Sequence, residues 1–395
     1  MDKNIQFGFW NYIDSGLLGK QAVQDWKELG MTVAMSFDFD LGKGHQKQDM
    51  LDILDACAAQ GMKLIIRDKR TRFKTYETLG ADAFAEGVRD AYADFGKHPA
   101  TFGFFIGDEP SFEQVQAFID TAKILLAEMP DLVPFGNLLP YWGSSDFAML
   151  SGKRPEEFYA IVDCILKETK LPVIAYDHYT QCLQEDQNQE AGIDGWFYDL
   201  DMYHKVCKEN GVPFYVTALC VGHWGYRVPT EDDFRWQIST ALAHGARGVW
   251  WFHLYCLNGD FSYRGAPYYG NQFKRTETFE YLARQQNLFQ QCYVEQFNKM
   301  ELESVYHVGH IYDPAKRFCA DDTIKEVTSD YHYPAIVSYF KGLETNERWV
   351  CIVNAHQRYS SLMTVEFTCG ARQRFWLAPG ELRLFKVSDI EKSVK

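Results

Sequence analysis

From Gln6 to about Phe252 the chain alternates short, β-rich apolar runs with longer amphipathic stretches, the pattern of βα units feeding a parallel sheet. Eight runs can be counted: Gln6–Tyr12, Thr32–Phe37, Lys63–Arg67, Thr101–Gly107, Leu132–Leu138, Pro172–Tyr176, Pro213–Ala218 and Gly248–Phe252. The stretches between them carry helix periodicity. In Gln48–Gln60, for example, Met50, Leu51, Leu54, Cys57 and Ala58 recur three to four residues apart. Several of these stretches end in a glycine just ahead of the next run, at Gly30, Gly61, Gly211 and Gly245, where a left-handed C-cap lets a helix stop. Eight such units in about 250 residues is the size of an α/β fold of the (β/α)8 TIM-barrel type, which carries its working residues at the C-terminal ends of the strands. A doubly wound nucleotide-binding sheet has little support, because no Gly-rich phosphate loop follows the first run.

After a helical segment near Lys274–Gln290 the pattern changes. From about Met300, short alternating runs at Ala335–Phe340, Glu347–Val353, Leu362–Thr368 and Glu381–Val387 are separated by Gly, Asn and Pro. They predict a C-terminal antiparallel β-sandwich. The boundary is expected between 290 and 305, which gives a barrel over 1–295 and an all-β domain over 296–395. Two units suit a chain of 395 residues, since a single core rarely grows beyond about 250–300. The polar end, Ile390–Lys395, is expected to fray.

Composition narrows the partners. A formal net charge of −14 argues against nucleic acid or an anionic membrane and suits a neutral or cationic ligand. Aromatics make up 16% of the chain, and flat faces with polar tips serve sugar rings as well as cores. The 10 cysteines are scattered singly with no CxxC pair, so zinc-type spacing is absent and most thiols are expected reduced in the interior. No basic-then-apolar leader precedes the first run, and no apolar run reaches membrane-span length. The expectation is a cytoplasmic protein, although a trimmed secreted chain would read the same way. Oligomeric state is not legible.

In a barrel the chemistry sits where strands end. The second run leads into Asp38 and Asp40, the third into Asp68, the fourth into Asp108 and Glu109, the sixth into Asp177, His178 and Tyr179, and the eighth holds Trp250, Trp251 and His253. A mouth ringed by acids, histidine and aromatics suits a carbohydrate site, where two acids handle protons and charge while flat side chains hold rings. The alternative for any one of these acids is that it caps the following helix. The apolar run Thr101–Gly107 followed by Asp108, Glu109 and Pro110 is the most informative segment: the proline stops sheet pairing and pins two carboxyls at the rim. If the segment stays extended, Asp108 and Glu109 point to opposite sides and play different parts. Trp142, Trp196 and Trp224 are candidate sugar platforms, each with a packing alternative, and of Trp250 and Trp251 only one can face a ligand; Trp251 is placed in the expected binding set. The polar stretch Thr180–Gly195 is expected to cover the site, and Cys256–Gln272 offers Asn258, Asp260, Tyr263 and Arg264. Asp38, Asp40, Asp68, His178 and His253 would have to converge to hold a metal. No HExxH or calcium-loop spacing accompanies them, and no cofactor is expected.

The segment Gly107–Pro110 resembles the strand-4 signature of the large clan of barrel glycoside hydrolases, in which an Asn-Glu-Pro-type sequence supplies the general acid/base on its Glu. The resemblance implies that Glu109 is the acid/base and that Asp108 takes the place of the sugar-binding Asn. Tyr176–Tyr179 is similar to the strand-6 His/Tyr region of that clan, and Arg227–Thr230 with Ala241–Phe252 to its strand 7 to strand 8 stretch, so the likeness covers most of residues 1–290 as short motifs. One departure stands out. The clan places a nucleophilic Glu at the end of strand 7, whereas Pro213–Trp224 contains no acid, and Glu231 and Asp232 look like first-turn acids of a helix. The second carboxylate must then come from another strand. Asp177 is the choice, because strands 4 and 6 lie a quarter-turn apart, with Asp38, Asp40 and Asp68 in reserve. The expected function is glycoside hydrolysis of a neutral oligosaccharide or glycoside. The alternatives are a non-catalytic carbohydrate-binding barrel and a metal-assisted barrel hydrolase or isomerase. Glu109 would need a raised pKa, which Asp108 and an apolar wall would supply. His178 would bond a hydroxyl, tune a carboxylate, or sit satisfied beside the core.

Overall fold

The computed structural model describes residues 4–13, 18–141, 154–181, 189–223, 225–257, 265–270, 272–312 and 315–394. Eight strands form one parallel sheet: β1 (Gln6–Phe9), β2 (Val33–Phe39), β3 (Lys63–Asp68), β4 (Thr101–Asp108), β5 (Val133–Leu138), β6 (Ile174–Asp177), β7 (Phe214–Leu219) and β8 (Gly248–Phe252). From β2 to β8 each strand pairs with the next, and β8 pairs back onto β1, with Gln6 opposite Gly248 and Phe9 opposite Trp251. The seam between β1 and β2 is closed by Thr32, whose N–H donates to the Phe7 carbonyl at 2.9 Å while its Oγ1 accepts from the Phe7 N–H at 2.9 Å. The sheet is therefore a TIM barrel. Its strands read as nearly continuous apolar runs because both faces are covered: every residue of β5 and β7 is buried.

Alternation along each strand sorts side chains between two cores. Val33, Ile65, Phe105, Phe135, Tyr215 and Trp250 fill the barrel interior, with Trp250 stacked on Tyr215 at 4.8 Å and on Phe135 at 5.3 Å. Their neighbours Tyr176 and Trp251 face the helices. The four expected cap glycines, Gly30, Gly61, Gly211 and Gly245, all take positive φ between 66° and 89°.

Two antiparallel sheets follow. Met300–Val308, Ala335–Gly342, Arg348–Asn354 and Leu382–Lys386 make a four-stranded sheet, and Ile324–Ser329, Ser361–Phe367 and Arg372–Leu377 a three-stranded one. Alternate residues of Ser361–Phe367 are buried, so Met363 and Val365 meet Val337, Val350 and Ile352 of the other sheet in a sandwich core. The sandwich packs on the helix Glu231–Ala243, where Trp236 Nε1 donates to the Ala355 carbonyl at 2.7 Å and Arg235 Nε to the Pro379 carbonyl at 2.6 Å.

Two expectations need correction. The stretch expected to run as a loop to Gly195 is helical from Gln189, and residues 182–188 lie outside the described set. The C-terminus does not fray at Ile390: Val387–Lys392 is a short helix, anchored because Val387 and Ile390, three residues apart, pack on the sandwich core. Of nine described cysteines, Cys57, Cys207, Cys220, Cys256 and Cys351 are buried and Cys164, Cys292, Cys319 and Cys369 exposed. Among the described residues no helix is long and apolar enough to cross a membrane.

Candidate active site

The C-terminal ends of β4, β5, β6 and β7 place four polar residues side by side. Register pairs Asp108 with Asn137 and Asp177 with Thr217, while Asn137 sits opposite Ala175, two residues before Asp177. Asn137 Nδ2 donates to Asp108 Oδ1 at 3.1 Å and to Asp177 Oδ1 at 2.8 Å. Glu109 and Asp177 act on each other: the Glu109 charge raises Asp177, and Asp177 in turn holds Glu109 down.

The backbone of β4 explains how two consecutive residues reach one cluster. Gly107 has φ 149°, and a Cβ there would lie 2.1 Å from the Phe73 ring. Glu109 has φ 46°, and its N–H donates to the Asn137 carbonyl at 3.0 Å. Glu109 has thus left strand geometry, and the alternation expected to separate it from Asp108 does not apply: both acids bear on Asp177.

Burial dominates the electrostatics. It pushes Asp108 up to about 6, against Asn137 donation and the charges of Arg67 and Lys74. It pushes Glu109 up to about 7, helped by the Asp108 charge and opposed by Asp177 and Lys74. Asp177, only 4% exposed, is raised by burial and then by Glu109 and Asp108, with Asn137 pulling it down. Three acids this close cannot all ionise, so the cluster keeps a proton near neutrality and titrates as a unit.

Aromatic rings surround the acids. Tyr12, 48% exposed, lies parallel to Trp10 at 6.3 Å and edge-on to His253 at 5.3 Å, with the Arg67 guanidinium 5.1 Å from its centroid. Burial of its hydroxyl raises the Tyr12 phenol, and the charges of Asp108, Asp177 and Glu109 add to this. Tyr179 is subject to the same three charges and packs against His223, Tyr226 and Phe252. Burial pushes His253 down to about 3 and His223 to about 4, so both rings are neutral at the rim.

Other residues of the expected set lie elsewhere. Asp40 caps the turn Leu41–Lys43, accepting from the Gly42 N–H at 2.9 Å, and pairs with Lys69 at 2.9 Å. Asp68 is buried under Arg70, accepting its backbone N–H at 2.9 Å and its guanidinium at 2.7 Å. Both are occupied as caps and ion-pair partners, which corrects their placement among binding residues. Asp38 pairs with Arg72 at the edge of the mouth. His178 turns into the helix layer, where Nδ1 meets Asp199 at 2.7 Å and Nε2 the Gly192 carbonyl at 3.1 Å, because alternation sends Asp177 inward and its neighbour outward. For the same reason Trp251 faces the helices and donates to Gln286 Oε1 at 2.6 Å, while Trp250 faces the interior. Trp196 is fully buried against Thr240. Trp142, Trp224, Asn258, Asp260, Tyr263 and Arg264 lie outside the described residues. Asn137, Thr217, Trp10 and Tyr12 join the site without having been singled out; the signal for Asn137 is a lone amide in the otherwise apolar run Leu132–Leu138. Among the described residues no group of three or more His, Cys, Asp or Glu is arranged to hold a metal ion.

No protein-family model matches the chain, and no curated protein matches it in sequence. Solved structures match in shape. A β-galactosidase from the psychrophilic Marinomonas ef1 superposes with a TM-score of 0.55 at 12% identity, over 74% of this chain and 62% of that one. A cold-adapted β-galactosidase from Rahnella sp. R3 gives 0.56 at 12% identity, over 76% and 58%. A catalytic mutant of a GH42 β-galactosidase from G. stearothermophilus gives 0.64 at 9% identity, over 97% and 98%. This chain has the fold of the barrel glycoside hydrolases. It spans only 62% and 58% of the length of the Marinomonas and Rahnella chains, and identities of 9–12% carry the likeness no further than the fold.

Proposed function

We propose that this protein hydrolyses glycosides, with Glu109 as general acid and Asp177 as its partner carboxylate. The observation that carries the reading is the mutual effect of these two acids at the barrel mouth, with Glu109 pushed to about 7. An acid so poised keeps a proton to give near neutrality, and its partner supplies negative charge beside the sugar carbon. In the step itself the Glu109 proton passes to the glycosidic oxygen as the bond from the anomeric carbon breaks, and the electron pair leaves on that oxygen. Water completes the exchange: its oxygen bonds to the sugar carbon, and the cluster takes back a proton. Retaining pairs stand roughly 5–5.5 Å apart and inverting ones about 6.5–9.5 Å, so the glycosidic oxygen would enter between the two carboxyls. Tyr12 offers a half-exposed face on which a sugar ring can rest.

The second reading, a carbohydrate-binding barrel without turnover, is favoured by one feature: β7 and the residue after it end in Thr217, Ala218, Leu219 and Cys220, with no acid. One experiment separates the two. A panel of chromogenic glycosides, led by β-galactosides because β-galactosidases share the fold, is assayed with the wild type and Glu109→Gln. Hydrolysis predicts turnover that falls by about 10²–10⁴-fold in the variant at an unchanged fold. Sugar binding with no turnover of any glycoside by the wild type would select the binding barrel.

A further inference from the structure

Asn137 is 2% exposed, and both hydrogens of its side-chain nitrogen go to acids, Asp108 and Asp177. Its Oδ1 accepts from Thr217 Oγ1 at 3.3 Å, and Thr217 Oγ1 accepts from Trp10 Nε1 at 3.2 Å. An indole N–H can only donate, so the threonine hydroxyl has its hydrogen free for Asn137. That direction fixes the amide with its oxygen toward Thr217 and its nitrogen toward the carboxyls. All three members of the relay are buried, so none trades its partner for water.

The relay opposes burial. Asp177 is more deeply buried than Glu109, which draws their common proton toward the aspartate. An N–H donated to Asp177 favours its charged form and draws the proton the other way, against the Asp177 interaction and the Lys74 charge, which both hold Glu109 down. We propose that Asn137, oriented by Thr217 and Trp10, is a positioning residue that keeps the proton shared by Glu109 and Asp177 from settling on the buried aspartate. The charged and titratable groups facing the pair are Asp108 on β4, Lys74 on the helix Phe73–Leu79, Tyr12 after β1, Tyr176 on β6, Tyr179 after β6 and Tyr203 on the helix Gln189–Asn210, with Arg67 on β3 acting through Asp108 and Tyr12. All of these remain in a variant at Asn137, so a changed titration reports the amide. The kinetic consequence rests on the glycosidase reading, while the proton assignment itself does not.

The test is carboxyl titration by NMR in substrate-free, 13C-labelled protein, comparing the wild type with Asn137→Leu, Thr217→Val and Trp10→Phe. In Asn137→Leu the Asp177 midpoint should rise and the Glu109 midpoint fall, widening their separation by about one unit or more. Thr217→Val and Trp10→Phe should move both midpoints in the same directions by less. Midpoints that coincide with the wild type in folded Asn137→Leu overturn the proposal. If that variant does not fold, unmoved midpoints in both relay variants overturn it. With a turned-over glycoside, the alkaline limb of kcat/KM should move to lower pH in Asn137→Leu, and turnover should recover as the assay is acidified. A uniform loss at every pH would leave Asn137 a merely structural residue. Should the wild type turn over no glycoside, the NMR arm still decides the proton assignment and only the glycosidase reading falls.

Discussion

The carboxyls of Glu109 and Asp177 act on each other's charge although a whole βα unit separates their strands. Positive φ at Glu109 and the inward pointing of Asp177 bring the two together at the mouth of the barrel. Two acids so placed share a proton, because ionising both would set like charges against each other in a poorly solvated site.

Stability should record that proton. The folded-state value for Glu109, about 7, stands above its ordinary 4.5, so between these pH values the native state holds a proton that the unfolded chain has released. This contribution is fully present below about 4.5 and is lost as pH climbs through 7, so stability falls across that window. Glu109→Gln abolishes the titration and relieves Asp177. The variant should therefore gain on the order of 1–3 kcal/mol over the wild type at pH 8 and nothing at pH 4. Thermal or denaturant melts from pH 4 to 8 measure this; a difference independent of pH would place the proton elsewhere.

Tyr12 and Trp251 should separate binding from folding. Tyr12→Ala removes an exposed ring beside the acids and should raise KM for any turned-over glycoside about tenfold, the scale of a ring-stacking contact, with little change in melting. Trp251→Phe removes the donor to Gln286 behind the barrel wall. It should cost about 1–3 kcal/mol of stability and leave KM alone. Steady-state kinetics beside denaturant melts on the two variants would show an exchange of these effects if the assignment of faces were wrong.

Gly107→Ala should be among the most damaging single changes. Its φ of 149° disfavours any Cβ, and the added atom would lie 2.1 Å from Phe73. A loss of about 3–5 kcal/mol is expected from backbone strain and overpacking together. Phe73→Leu in the same chain should return part of it, and a double-mutant cycle by denaturant melts checks the coupling. Purely additive costs would mean that the ring does not set the requirement for glycine.

The barrel was legible because strands covered on both faces leave long apolar runs, and the ends of most β-runs fall within about two residues of the strand ends found. The direction of strand-end side chains was less so. Register irregularities lie between Met35 and Asp38 in β2 and, in β4, between Thr101 and Gly103 and between Phe105 and Gly107, and each breaks the two-residue alternation. Asp40 and Asp68 carry the same residue type and strand-end position as Asp108, yet nearby Lys69 and Arg70 draw them into caps and ion pairs. Asn137 escaped notice because its role depends on partners from three other strands or strand ends, a relation that spacing within one segment cannot express.

The helix Glu231–Ala243 has almost no wet side: from Asp233 to Ala243 every residue except Arg235 is buried. An outer helix of a self-sufficient barrel would keep a polar stripe toward solvent. Here that stripe is missing, and Trp236 spends its indole hydrogen on Ala355. Without the sandwich this helix would lose the cover over Trp236 and the acceptors of its indole and of Arg235, leaving the barrel a greasy, hydrogen-bond-starved flank.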